Sequence, residues 1–116
     1  MKRGEIWTLH DDRYAGKARP VVIVQDYLAD ASDSVILTLF TTFDNEEAGS
    51  RVAIEPSETN GLRHTSFVMV EKLLTVRRSE LGTRVGMLTD DQMHDISRIL
   101  AQVLGITAAD LPTSSH

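Results

Sequence analysis

The stretch "GKARPVVIVQ" at residues 16–25 joins a short basic loop directly to an aliphatic run. Residues 21–24 are three valines and an isoleucine, a composition that favours a buried β-strand. Because Pro20 cannot donate a hydrogen bond within a ladder, we expect it to open that strand. Gly16 gives the preceding loop its backbone freedom. Arg19 is therefore expected to stand at the start of a rigid element.

Outside this stretch, the pattern predicts one small domain of short strands closed by a helix. Runs rich in β-branched and aromatic residues predict further strands at residues 5–9, 34–41, 51–55, 66–70 and 73–76. The capping box at residues 89–92 and apolar residues at helical spacing predict a helix that ends at Gly105, and a weaker helical turn is predicted at 78–81. The fold class is thus mainly β, a small curled sheet or barrel covered by a C-terminal helix. We expect one domain over residues 1–106 and a loosely ordered tail over 107–116.

Composition removes several classes of function. The 116 residues include no cysteine, which excludes disulfides, thiolate nucleophiles and cysteine-based metal sites. No apolar run approaches the roughly 18 residues of a membrane span, and no signal-type segment follows Met1, so a cytoplasmic protein is the simplest prediction. The net charge of −5 argues against a non-specific nucleic-acid coat. Basic residues nevertheless concentrate in the first twenty positions, at Lys2, Arg3, Arg13, Lys17 and Arg19.

Three residues at strand ends are candidates for chemistry on pattern alone. A lone arginine more often makes a surface pair, but Arg19 is held between a flexible loop and a proline, and its fork of donors suits a phosphate. Thr41 is either an ordinary strand residue or a hydroxyl that donates to a phosphate oxygen. Glu71 either marks the point where its strand becomes exposed to solvent or acts as a general base. The pattern leaves these alternatives open.

The four histidines give little support for a metal site. His10, His64, His94 and His116 form no His-x-x-x-His pair, and the acids that follow His10 are of the kind usually solvated in a loop. The chain also lacks a phosphate-binding P-loop and a nucleophile elbow. We therefore predict no metal and no cofactor.

Several stretches, taken in order, resemble the MazF/PemK family of toxin endoribonucleases. They are "RGEIW" at 3–7, "KARPVVIV" at 17–24, Thr41, Gly61-Leu62, "SFV" at 66–68, "LTV" at 74–76, "GML" at 86–88 and the final helix. The resemblance covers residues 1–106. It implies an SH3-like barrel with a C-terminal helix, usually a homodimer, that cuts single-stranded RNA without a metal and is neutralised by a small antitoxin protein.

Taken residue by residue, the resemblance also implies a site. The family's catalytic arginine falls on Arg19, its catalytic threonine or serine on Thr41, and an acidic position on Glu71. Tyr14 stands near the place where many relatives carry a glutamate. The general base is predicted to be Glu71 or His10. Predicted RNA contacts are Lys17, Tyr14, Thr42, Phe43 and Ser66. Among these, Tyr14 and Phe43 are aromatic residues in or beside loops, where unpaired bases can stack.

The residue types agree with metal-independent RNA cleavage. RNA contains its own nucleophile, the 2′-hydroxyl, so cleavage needs alignment, stabilised charge on the phosphoryl oxygens and proton transfer. Arg19 would stabilise that charge, because a guanidinium is a poor proton donor, and Thr41 would hydrogen-bond the scissile phosphate. The expected products are a 2′,3′-cyclic phosphate and a 5′-hydroxyl.

Two other functions are compatible with the same fold. A related toxin binds DNA gyrase and performs no chemistry, but a tryptophan near the end of the helix matters in that branch, and the one tryptophan here is Trp7. A catalytically silent binding module is the second alternative, because fold does not determine function. The presence of both Arg19 and Thr41 favours the nuclease.

Overall fold

The computed structural model describes residues 1–10, 18–26, 33–43 and 49–112. Within them lie six strands and one helix: β1 (Glu5–His10), β2 (Ala18–Ile23), β3 (Ser34–Thr41), β4 (Arg51–Ile54), β5 (Ser66–Arg77), β6 (Leu81–Met87) and α1 (Asp90–Leu104). Two short 3-10 turns span Arg78–Glu80 and Ala108–Asp110. The strands form one antiparallel sheet in the order β4-β5-β3-β2-β1-β6. The predicted fold class, mainly β with a C-terminal helix, is confirmed.

The second half of β2, residues 21–23, is buried on both faces of the sheet, as is Val24, the residue that follows the strand. Val22 and Val24 belong to the cluster that packs against α1, whereas Val21 and Ile23 belong to a second cluster on the opposite face. A strand covered on both sides needs apolar residues at every position rather than at alternate ones. This two-sided burial explains the uninterrupted aliphatic run.

The prediction that Pro20 opens its strand is wrong. Strand β2 begins at Ala18, and Pro20 lies opposite Thr8 of β1. Pairing with β3 starts only at Val21, so at Pro20 the strand has a partner on one side. A residue without an N–H is tolerated where one side of a strand makes no ladder bonds.

Two other predictions about strands need correction. The runs at 66–70 and 73–76 belong to one strand, β5, in which residues 70–72 bulge out, because Leu39 faces Met69 while Thr38 faces Leu73. Strand β6 was not predicted, since its two glycines and Arg84 obscure the strand pattern. These glycines permit close approach: a Cβ on Gly82 would lie 2.5 Å from Thr8 Oγ1, and one on Gly86 would lie 2.4 Å from the backbone of Asn60.

The predicted helix is present and packs against the first cluster. Thr89 and Gln92 form the capping box, and the helix ends at Gly105, whose φ is 71°. Met93 and Ile96 are its buried residues. Among the described residues, none of the helices is both long and apolar enough to cross a membrane.

Candidate active site

A cavity of about 290 Å³ lies where the end of β3 meets the starts of β2 and β5. Its walls are formed by Arg19, Pro20, Phe40, Thr41, Thr42 and Ser66. The antiparallel topology explains this meeting, because the last residue of one strand lies beside the first residues of its neighbours. The cavity brings together four of the predicted site residues, which lie far apart in the sequence.

Arg19 and Thr41 approach each other through the register of β2 and β3. Val21 lies opposite Leu39, and continuing that antiparallel register by two residues brings Arg19 level with Thr41. Arg19 is exposed at the cavity, while Thr41 is half-buried. A guanidinium and a hydroxyl side by side at an open cavity provide donors for the non-bridging oxygens of a phosphate.

Two hydroxyl groups of this site have opposite hydrogen-bonding roles. Thr41 Oγ1 accepts a hydrogen bond from the backbone N–H of Phe43 at 3.1 Å, which leaves the hydroxyl hydrogen for a ligand. Ser66 Oγ instead donates to the backbone carbonyl of His64 at 3.0 Å, and Ser66 is only 5% exposed. Ser66 can therefore accept from a ligand, but its proton already holds the preceding loop.

The two candidate bases lie outside the walls of this cavity. Glu71 lies in the β5 bulge, and its Oε1 pairs with Arg51 Nη2 of β4 at 3.0 Å. Its second oxygen, Oε2, is buried without a hydrogen-bond partner among the described residues. His10 is exposed at the end of β1 and lies opposite Ala18, whereas the residue opposite Arg19 is Leu9. That Glu71 or His10 acts as the general base stays a prediction.

The predicted RNA contacts are divided between the cavity and its surroundings. Thr42 and Ser66 line the cavity, and Phe43 follows directly with 72% of its surface exposed. An exposed aromatic ring beside a phosphate-sized site suits base stacking. Tyr14 and Lys17, together with Gly16, lie outside the described residues.

Among the residues that the structure describes, Glu5 at the start of β1 is the one buried acidic residue. Burial acts to raise the pKa of its carboxyl. Hydrogen bonds from the Lys2 backbone N–H at 2.7 Å, the Trp7 indole at 3.3 Å and the Arg84 guanidinium at 2.9 Å outweigh burial and hold the pKa below its ordinary value of 4.5. This carboxylate joins β1 to β6 and is structural.

In the described part of the chain, no group of three or more His, Cys, Asp or Glu side chains is arranged to hold a metal ion. The polar groups of the cavity are a guanidinium and hydroxyls, which are not the carboxylate and imidazole ligands that metal sites use.

The sequence profile of one protein family matches residues 2–104, and that family is described as a PemK-like, MazF-like toxin of type II toxin-antitoxin systems. The chain belongs to this family. Its sequence is 43% identical over 107 residues to a probable endoribonuclease MazF from Mycolicibacterium smegmatis, covering 91% of this chain and 98% of the relative. It is 30% identical over 92 residues to the endoribonuclease MazF6 of Mycobacterium tuberculosis, covering 78% and 81% respectively.

A solved structure supports the same assignment. A mycobacterial endoribonuclease in complex with its cognate antitoxin superposes with a TM-score of 0.79 at 28% identity, over 92% of this chain and 97% of that one. The resemblance to the MazF/PemK family is thus confirmed, as are the predicted toxin and endoribonuclease classes.

The N-terminal stretch "RGEIW" of this MazF-like chain has a structural role. Arg3 hydrogen-bonds the Val24 carbonyl and the Ser97 hydroxyl, which ties the N-terminus to β2 and α1. Gly4 has a φ of 94° and lies against Met93. Trp7 lies in β1 and packs against the second cluster, so it is not the helix tryptophan that matters in the gyrase-binding branch. The N-terminal residues that carry the family resemblance therefore hold β1 against the rest of the sheet and the helix.

Sequence reasoning missed one part of this MazF-like surface. A second cavity, of about 530 Å³, shares Pro20, Thr42 and Ser66 with the first and is extended by Arg63 and His64. Both come from the loop at residues 55–65, between β4 and β5, of which the family resemblance includes only Gly61-Leu62. The adjacent basic residues Arg63 and His64 could have indicated a nucleic-acid contact in the sequence. Their position next to the Arg19 cavity is visible only in the fold.

Proposed function

We propose that this chain is a sequence-specific toxin endoribonuclease that cleaves single-stranded RNA without a metal ion. The observation that supports this most directly is the cavity shared by Arg19 and Thr41, a fixed cation beside an oriented hydroxyl donor. The curated relatives are named endoribonucleases, which agrees with this chemistry.

The proposed reaction uses the substrate's own nucleophile. The 2′-hydroxyl loses its proton to a base and its oxygen attacks the adjacent phosphorus, so that an O–P bond forms and the bond to the 5′-oxygen breaks. Water protonates the departing 5′-oxygen, and the products are a 2′,3′-cyclic phosphate and a 5′-hydroxyl. Arg19 stabilises the charge that develops on the phosphoryl oxygens, and Thr41 donates a hydrogen bond to the same group. Alignment in the cavity supplies a further part of the rate.

Proton transfer from the 2′-hydroxyl is proposed to involve Glu71 or His10. His10 pairs with Ala18, and because side chains alternate along a strand, its imidazole lies on the face of the sheet opposite to that of Arg19. Glu71 lies four residues beyond Phe67, the residue opposite Thr41. Comparing Glu71→Gln with His10→Gln tests the assignment, at a temperature where circular dichroism shows that both variants are folded. The variant of the true base should lose cleavage at neutral pH, whereas the other should retain it.

The function is tested by incubating the purified chain with a single-stranded RNA in EDTA and mapping the fragment ends. Cleavage at a short sequence, with cyclic phosphate and 5′-hydroxyl termini, is expected. Arg19→Ala should abolish cleavage while the circular dichroism spectrum stays unchanged, and Arg98→Ala on the exposed face of α1 is the matched control. Full activity of Arg19→Ala would overturn the mechanism.

We propose that the partner is a small antitoxin, as in the solved mycobacterial complex, and that the toxin works as a homodimer in the cytoplasm, where its RNA substrate is found. The antitoxin would lay an acidic segment studded with apolar residues over the Arg19 cavity. Adding antitoxin should stop cleavage. If the complex cut RNA at the full rate, occlusion of the groove would be the wrong explanation.

A further inference from the structure

We propose that the second cavity is a subsite for the base of a nucleotide adjacent to the scissile phosphate, and that Arg63 and His64 determine which base it accepts. This inference rests on the proposed nuclease function and extends it to specificity. The two cavities share the walls formed by Pro20, Thr42 and Ser66, so a strand held at Arg19 and Thr41 enters the second cavity with its next nucleotide.

The lining of the second cavity has the character of a base site. Ala18, Pro20, Leu62 and Val85 provide apolar surface, and the volume of about 530 Å³ falls in the usual range for small-ligand sites. Unpaired RNA bases are recognised by stacking on rings or guanidinium planes and by hydrogen bonds to their edges. The polar groups at the rim of this cavity include a guanidinium and an imidazole, which can do both.

The 55–65 loop is held firmly enough to discriminate between bases. Asn60 is 1% exposed, and its Oδ1 accepts from the backbone N–H groups of Ser57 and Leu62 at 3.0 and 2.9 Å. Its Nδ2 donates to the Glu55 carbonyl at 2.8 Å. At the other end, the Ser66 hydroxyl bonds the His64 carbonyl. Rigid support of this kind is what a specificity site requires.

His64 itself is exposed, and no hydrogen bond joins its imidazole to another described residue. Both ring nitrogens are thus available to a ligand. The neighbouring Arg63 is also exposed in the same wall. These two side chains contribute little to the packing of the fold, so replacing them changes the surface of the cavity and leaves the core intact.

The test compares cleavage of an RNA library, randomised around one cleaved bond, by the wild-type chain and by His64→Ala and Arg63→Ala. The matched controls are His94→Ala and Arg98→Ala on the exposed surface of α1. We expect the variants to lose discrimination at a single position adjacent to the cleaved bond, by about ten-fold, with the other positions unchanged. The controls should keep the wild-type pattern.

A filling variant provides an independent readout through binding. Ala18→Phe should narrow the second cavity and weaken binding of an uncleavable RNA, 2′-deoxy at the cleaved position, whereas Ala53→Phe on the exposed face of β4 should not. If the wild-type chain cuts no RNA, the proposed function fails and this inference fails with it. If it cuts RNA but both loop variants keep the wild-type pattern at every position, only the inference is overturned.

Discussion

Thr41 Oγ1 accepts a hydrogen bond from the backbone N–H of Phe43, with 3.1 Å between the two atoms. The bond occupies one lone pair of the hydroxyl and directs its hydrogen away from the turn that follows β3. Because Arg19 lines the same cavity, the hydroxyl hydrogen of Thr41 is left for a ligand that the guanidinium also contacts. The turn after β3 thus leaves the Thr41 hydroxyl available as a hydrogen-bond donor.

The first prediction concerns that hydroxyl. Thr41→Val keeps the shape of the side chain but removes its donor, and we expect cleavage to fall by about 10²- to 10³-fold. Thr41→Ser should retain most of the activity. The rates are measured on a short RNA under single-turnover conditions, with Thr75→Val on the exposed part of β5 as the control. Equal rates for Thr41→Val and wild type would remove Thr41 from the mechanism.

The second prediction separates charge from geometry at Arg19. Arg19→Lys keeps the positive charge but loses the planar fork, so we expect cleavage well below wild type and above Arg19→Ala. All three proteins should unfold at similar urea concentrations, because Arg19 is exposed. A lysine variant as active as wild type would show that charge alone is sufficient.

The third prediction is a pH dependence caused by Glu5. Its pKa is lower in the folded chain than in the unfolded chain, so its contribution to stability is complete above about 4.5 and disappears as the pH falls through the folded value. Glu5→Gln should lower the free energy of unfolding at pH 7 by about 1 to 2 kcal/mol, since it weakens hydrogen bonds to a charged group.

Urea unfolding at pH 7, 4 and 3 measures this effect. The difference between wild type and Glu5→Gln should shrink as the pH is lowered, whereas exposed Glu80→Gln should stay close to wild type throughout. A difference that stays constant from pH 7 to pH 3 would contradict the assigned role of the Glu5 carboxylate.

The fourth prediction concerns Asn60. Asn60→Ala leaves the N–H groups of Ser57 and Leu62 and the Glu55 carbonyl without their partner, and we expect a loss of about 2 to 4 kcal/mol in the free energy of unfolding. Asn60→Asp keeps both accepted bonds and should lose less. Exposed Glu58→Ala in the same loop is the control for thermal and urea unfolding.

The fifth prediction tests the ion pair in the β5 bulge. Glu71 and Arg51 are mutually paired, and each has a buried atom, Oε2 and Nε, with no other partner among the described residues. Removing one partner should therefore destabilise the fold more than removing both. Unfolding of Glu71→Gln, Arg51→Met and the double variant measures the coupling. Strictly additive losses would show that the contact contributes nothing.

Several elements were predictable from local pattern because their physical causes are local. The capping box at Thr89 and the apolar spacing from Met93 onwards define α1 without reference to any other element. Strand β6 was not predictable in this way, because Gly82 and Gly86 are required by contacts with β1 and the 55–65 loop. A glycine that permits close approach looks the same in sequence as one that breaks a strand.

The mainly β class, the closing helix and the family to which Arg19 and Thr41 point could be predicted without the structure, because they depend on composition, spacing and ordered motifs. The tertiary structure was needed to show that residues 21–23 of β2 are buried on both faces, that Glu5 joins β1 to β6, and that Arg63 and His64 line a cavity that continues from the Arg19 cavity. The physical reason is that antiparallel pairing brings together residues far apart in the chain. Which strand ends lie side by side cannot be predicted from the residues of any one strand.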